Sequence, residues 1–239
     1  MYIILFSLVA AAATMVGGSI PLLHKKLSKK SLMVLVAFSA GVLLSTGLNH
    51  MVVESYAQSG RWAMVAVSLG FVILYGYEKV AMIHACREQE CHVHLFGGAA
   101  LVGIGFHSLL DGFAIAVSFG LEKTMGMIVI AAVILHRLPT GISIASIMLS
   151  HRYHKAKAWM TLGMIACMNV LGAFLGQFIP FSETTLLSLA VGLSGGTFLY
   201  ISTSDLLPIA HENNLDYRVP FFFLIGFLGV LAATFLNGG

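Results

Sequence analysis

Charge is what this sequence has least of. Only 10% of its 239 residues are Asp, Glu, Lys or Arg, against 58% that are hydrophobic. A soluble domain carries about 25% charged residues, so this chain has almost no room for one. Cysteine is scarce too: Cys86, Cys91 and Cys167 give no disulfide framework. A basic segment ahead of the first apolar run is also missing. A lysine cluster follows that run instead, which favours a retained span over a cleaved signal peptide. The net charge of +3 carries little information, because in membranes the position of Lys and Arg matters more than their sum.

What is present is a series of long apolar runs. About 20 such residues cross the hydrocarbon core of a bilayer. Eight runs meet that length, at 2–22, 32–55, 62–80, 97–119, 124–149, 158–179, 184–208 and 219–237. The expected fold is therefore all-α. It is a polytopic membrane bundle of eight transmembrane helices, forming one domain over 1–239. Lys25, Lys26, Lys29, Lys30, Lys79, Arg87, Arg152, Lys155, Lys157 and Arg218 all fall on one side, while the other holds only Arg61 and Lys123. The basic side is cytoplasmic by the positive-inside rule. Both termini are then extracytoplasmic, and the loop at about 81–96 is cytoplasmic. The compact chain and minimal loops point to a bacterial inner membrane.

Against this background, ionisable residues inside spans are functional candidates, since each costs several kcal/mol near the bilayer centre. The fourth run reads "GIGFHSLLDGFAIAVSFG", with His107 and Asp111 four apart on one helix face. The fifth carries His136, Arg137, Pro139 and Thr140, and His136 and Thr140 share a face. Asp111 and His136 each lie about 14 residues from the cytoplasmic end, hence at similar depth at about 1.5 Å per residue. Two imidazoles and a carboxylate converging there suit a borderline divalent ion such as Zn²⁺. A hydrogen-bonded packing cluster is the competing account. Pro139 removes a backbone hydrogen bond and frees a carbonyl that can line a wet cavity. Arg137 is expected to pair with Asp111.

Other candidates lie nearer the span ends. His50 and Glu54 could guide ions in from outside or sit as interfacial residues. Asp205, near Pro208 and followed by His211 and Glu212, fits an exit route or a solvated helix end. The loop "HACREQECHVH" supplies His84, Cys86, Cys91, His92 and His94. Its thiols stay reduced in the cytoplasm, and its spacing fits a loose metal-collecting loop better than a closed zinc site.

Taken together, "SAGVLLSTGLNHMVVES", "GFVILYGYEK", "HSLLDGFAIAVSFG" and "GGTFLYISTSDLLP" resemble the second, third, fourth and seventh helices of the ZIP (Zrt/Irt-like) metal transporters. The resemblance covers nearly the whole chain. It implies a divalent metal held between helices four and five, at positions falling on His107, Ser108 and Asp111, and on His136, Arg137 and Thr140. An acidic position of helix six falls on Asn169. Many members have acids or histidines at Arg137 and Thr140 and an Asn at Ser108, and these build a second metal position. With a cation and weak ligands there, the resemblance implies a mononuclear site here.

The expected function is transport of Zn²⁺ toward the cytoplasm, with Fe²⁺, Mn²⁺ and Cd²⁺ as other candidate substrates. An intramembrane zinc hydrolase, with a metal-activated water, and a metal sensor without flux are the alternatives. The expected partners are the lipid bilayer and divalent metal ions. A homodimer is the protein assembly to test, and nucleic acid is excluded.

Overall fold

An apolar run in lipid has no water to satisfy its peptide groups, so it must close its hydrogen bonds internally. Helix is the outcome throughout this chain. The computed structural model describes residues 2–23, 28–87, 95–121, 123–178, 184–211 and 216–237, and among them there is no strand. The helices are α1 (Tyr2–Leu23), α2 (Lys29–Ser45), α3 (Val53–Ser59), α4 (Arg61–Arg87), α5 (Leu95–Leu121), α6 (Lys123–Ser150), α7 (Lys155–Gly176), α8 (Thr184–Tyr200), α9 (Leu207–His211) and α10 (Arg218–Asn237). Two π-helical turns make longer rods. Thr46–Val52 (π1) joins α2 to α3, and Ile201–Leu206 (π2) joins α8 to α9.

Each of the eight expected runs overlaps one helix or one such rod. Among the described residues, six are long and apolar enough to cross a membrane: Tyr2–Leu23, Lys30–Ser59, Arg61–Val80, Leu101–Gly120, Val129–Ser150 and Lys155–Gly176. The apolar part of α10, Arg218–Thr234, is shorter. The α8–α9 rod is interrupted by hydroxyls and by Asp205. The chain is a multi-pass membrane protein.

Four helix pairs dominate the packing: α1 with α6, α5 with α7, α2 with α10, and α4 with α8. Each is closed by a reciprocal pair of glycines. Gly17 faces the Leu138 carbonyl while Gly141 faces that of Thr14; Gly112 faces Asn169 while Gly172 faces Leu109. Gly41 faces Phe223 while Gly226 faces Phe38, and Gly70 faces Leu193 while Gly196 faces Val67. A Cβ at any of the eight would overlap the opposing carbonyl oxygen. Small residues of this kind let backbones approach where lipid offers no hydrophobic drive. Exchanging α1 with α7, α5 with α6, α2 with α8, and α4 with α10 maps the four pairs onto one another. It also carries π1 onto π2.

A direct test compares two glycines of one helix. Gly226→Ala is expected to lower stability by about 1–3 kcal/mol through overpacking. Gly229, where an added methyl would meet nothing within 4 Å, should tolerate Ala within about 0.5 kcal/mol. Equal melting temperatures for the two variants in detergent would remove the close-approach account.

Candidate metal site

The pairing of α5 with α6, and of both with α1 and α7, brings the intramembrane polar residues to one place. Asp111 Oδ2 is its hub. His136 Nε2 lies 2.8 Å from that oxygen, Arg137 Nη2 3.0 Å and His107 Nε2 3.3 Å. One donor atom from each of His107, Asp111 and His136 lies within 4.8 Å of the others, a set able to hold a metal ion. His107 and Asp111 are buried, and His136 is nearly so.

The two imidazoles differ. His136 makes a hydrogen bond to Asp111. His107 is close to the same oxygen but poorly aligned, and neither of its ring nitrogens has a hydrogen-bond partner. Its ring rests edge-on against Phe198, with centroids 4.4 Å apart. A buried polar group without a partner is uncommon and calls for an explanation such as an unfilled ligand position.

Arg137 is fully buried and held from several sides. Nη1 donates to Ser108 Oγ at 2.6 Å and Nη2 to the Ser108 carbonyl at 3.0 Å. With the Asn169 amide oriented to suit its neighbours, its oxygen accepts from Arg137 Nη2 at 3.1 Å and its nitrogen donates to the Ser7 carbonyl at 3.0 Å. The expected Arg137–Asp111 ion pair is therefore present, and Ser108 and Asn169 both meet the guanidinium. Thr140 Oγ1 donates to the His136 carbonyl at 2.8 Å, and Ser143 Oγ to that of Pro139 at 3.0 Å. These hydroxyls brace α6, which continues as helix through Pro139.

The remaining candidates are not part of this cluster. His50, in π1, is 3.7 Å from Glu54 in α3, and both are half exposed. His211 is exposed and bonds back to the Leu207 carbonyl. Asp205 is buried, which rules out the solvated-helix-end account for it. Cys91, His92 and His94 lie outside the described residues, as does Glu212; for His84 and Cys86 the helical backbone of α4 is described.

One residue was missed. Glu78 is 1% exposed, accepts from Tyr200 Oη at 2.6 Å, and lies 3.5 Å from Lys79 Nζ. The rule that flagged Asp111 applies to it equally, since it too is an acid within an apolar run.

The comparisons with known proteins bear on this arrangement. A family model described as "ZIP Zinc transporter" matches residues 83–236. Zinc transporter ZupT of Chlorobium chlorochromatii is 24% identical, over 86% of this chain and 86% of its own length. Zinc transporter ZIP9-B of Xenopus laevis is 23% identical over 72% of this chain, which spans 62% of that relative. Zinc transporter YKE4 of Saccharomyces cerevisiae is 25% identical over 79% of this chain and 64% of its own length. The family consists of transporters rather than enzymes. With more than half its length matched by that family model, carrying the paired residues of α5 and α6, the chain belongs to the ZIP zinc transporter family.

Proposed function

We propose that the protein carries Zn²⁺ across a bacterial inner membrane toward the cytoplasm, on eight spans with both termini outside. His107, Asp111 and His136 bind the ion, with Thr140 beside them. The observation that carries this is the convergence of two imidazoles and one carboxylate in a buried place where His107 has no hydrogen-bond partner. In a tetrahedral zinc site with bonds of about 2.0–2.1 Å, ligand atoms stand about 3.3 Å apart. His107 Nε2 already lies 3.3 Å from Asp111 Oδ2. His136, at 2.8 Å, needs to withdraw by only about half an ångström to match that zinc geometry.

The site is mononuclear in this account. Arg137, pinned by Ser108 and Asn169, supplies a fixed positive charge where a second metal would sit. An incoming Zn²⁺ must share Asp111 Oδ2 with the guanidinium, so Arg137 weakens binding and helps make it reversible. In this reading His50 and Glu54 receive ions outside, and Asp205 and His211 pass them on inside.

The test is metal uptake into proteoliposomes containing the purified protein and no other substrate, across Zn²⁺, Fe²⁺, Mn²⁺ and Cd²⁺. Saturable zinc flux supports the proposal. Binding without flux would leave a sensor or a zinc hydrolase and would overturn the transport reading. The cytoplasmic loop is expected to assist delivery only. Replacing His84, Cys86, Cys91, His92 and His94 together with Ser should change initial uptake by no more than a few-fold. Complete loss in protein that still inserts and folds would put the loop in the pathway.

A further inference from the structure

α5 and α7 run parallel. Gly112 meets Asn169, Gly172 meets Leu109, and Gly176 meets Ala116. Toward the helix starts, on the side that carries Lys155 and Lys157, the contact loosens. A groove of about 400 Å³ opens there between Leu101, Phe106 and Leu109 of α5 and Thr161, Met164 and Met168 of α7. Gly105 lies in it, and a Cβ at that position would meet nothing within 4 Å. From Leu101 to Leu109 is about 12 Å along the helix. The volume is in the range of about 300–1,000 Å³ typical of small-molecule sites.

The setting says what fills the groove. Both walls belong to membrane spans, Leu101–Gly120 and Lys155–Gly176. The rim is exposed, with Val102 at 56% and Met164 at 57%, so the groove opens sideways to lipid. Its lining is apolar apart from the Thr161 hydroxyl. A void in such a place forfeits dispersion contacts on every wall, and the apolar material that a bilayer supplies at that depth is an acyl chain.

One end of the groove is charged. Lys157 stands four residues before Thr161, on the same face of α7 and about 6 Å along it. Its ammonium lies over the Tyr153 ring at 4.5 Å from the centroid. That draws the charge toward the start of α7 and away from the hydrocarbon, as lysines near span ends do. Lys155, whose ammonium donates to the Leu22 carbonyl at 2.7 Å, and the exposed Arg152 add to the positive charge. No Asp or Glu occurs between Glu122 and Glu183, so α6, α7 and the turn joining them carry no acid to offset it.

We propose that this groove is a binding site for one anionic phospholipid, with an acyl chain between α5 and α7 and the phosphate at Lys157. The site is separate from the metal cluster. Phe106 faces the groove, while His107 beside it is buried on the inner side of α5.

Native mass spectrometry of the purified full chain tests this without metal or flux. Phosphatidylglycerol and phosphatidylcholine with matched acyl chains are titrated onto delipidated protein. One phosphatidylglycerol is expected to bind ahead of further lipid and in preference to phosphatidylcholine. Lys157→Gln should cut that preference about fivefold, the effect of one basic residue at an anionic lipid surface. Lys30→Gln, at an exposed lysine of α2, should leave the first binding step unchanged. Gly105→Phe should weaken binding of both lipids by about tenfold or more, the worth of two displaced methylenes. Its ring enters open space, so the melting temperature without lipid should hold. Met164→Trp fills the groove from the opposite wall and is expected to act in the same way, should Gly105→Phe not fold. Glycerol phosphate, a headgroup without chains, should not compete. Equal lipid binding by the wild type and the groove variants would leave only non-specific surrounding lipid and overturn the proposal, as would full competition by glycerol phosphate. A dimer in lipid-free protein that Gly105→Phe breaks would give the groove to a second copy of the chain and overturn it too.

Discussion

Asp111→Ala is expected to abolish saturable zinc uptake, and His107→Ala and His136→Ala to do the same. Outer-sphere partners of metal ligands are worth about 10–100-fold in affinity, so loss of a direct ligand should exceed about 100-fold. Asp111 is the most sensitive of the three because its Oδ2 is the oxygen that both imidazoles and Arg137 approach. Removing it deletes a ligand and also leaves a buried guanidinium uncompensated. Asp111→Asn separates the two effects. It keeps the volume and a carbonyl oxygen, so a folded but inactive variant assigns the loss to the missing charge. Uptake is read in proteoliposomes, with insertion and monodispersity checked for each variant. Near-normal uptake by a well-folded Asp111→Ala protein would sink the ligand assignment.

Arg137→Ala is expected to destabilise the metal-free protein by about 3–5 kcal/mol, the usual cost of removing one member of a buried pair. The charge left behind belongs to Asp111, whose other neighbours are the two imidazoles. Zinc neutralises that charge. A ligand at 100 times its Kd adds about 2.7 kcal/mol, so zinc should recover most of the loss. The variant should also bind zinc more tightly than the wild type, because the ion no longer shares Oδ2 with a guanidinium. Arg137→Asp goes further, placing a second carboxylate beside Ser108 and Asn169. It is expected to raise intramembrane zinc from one ion per chain to two, measured by elemental analysis and calorimetry in a background with the loop ligands replaced. Two intramembrane ions in the wild type would show that Arg137 does not fill the second position.

The convergence of His107, Asp111 and His136 was legible because helix geometry and membrane depth are both simple counts. A spacing of four puts His107 above Asp111 on one face, and equal distances from the adjoining ends of their two spans put Asp111 level with His136. The Arg137–Asp111 pair followed from electrostatics alone, since a guanidinium inside a span needs the nearest anion. Glu78 was harder. It stands beside Lys79 near the end of its span, and helix rotation decides whether such a residue faces water or the bundle. Packing against neighbours sets that rotation, and here α8 supplies the decisive contact through Tyr200. The π turns left no pattern at all, because an extra residue per turn has no periodic signature over six or seven positions. The glycine contacts were not legible either, since Gly41 meets a helix that begins at Arg218, far along the chain.

That last separation gives the fold a timetable. No pair can close before its second helix is made, and those helices are made in the order α6 for α1, α7 for α5, α8 for α4 and α10 for α2. At about 5–20 residues per second, α2 waits roughly 10–35 s between its own synthesis and that of α10. Throughout that interval its glycine face meets lipid or a temporary escort in place of its permanent partner. A nascent chain stopped after α9 would already hold His107, Asp111 and His136 on paired helices. The three side chains proposed to hold the ion are therefore in place on paired helices before the bundle is finished.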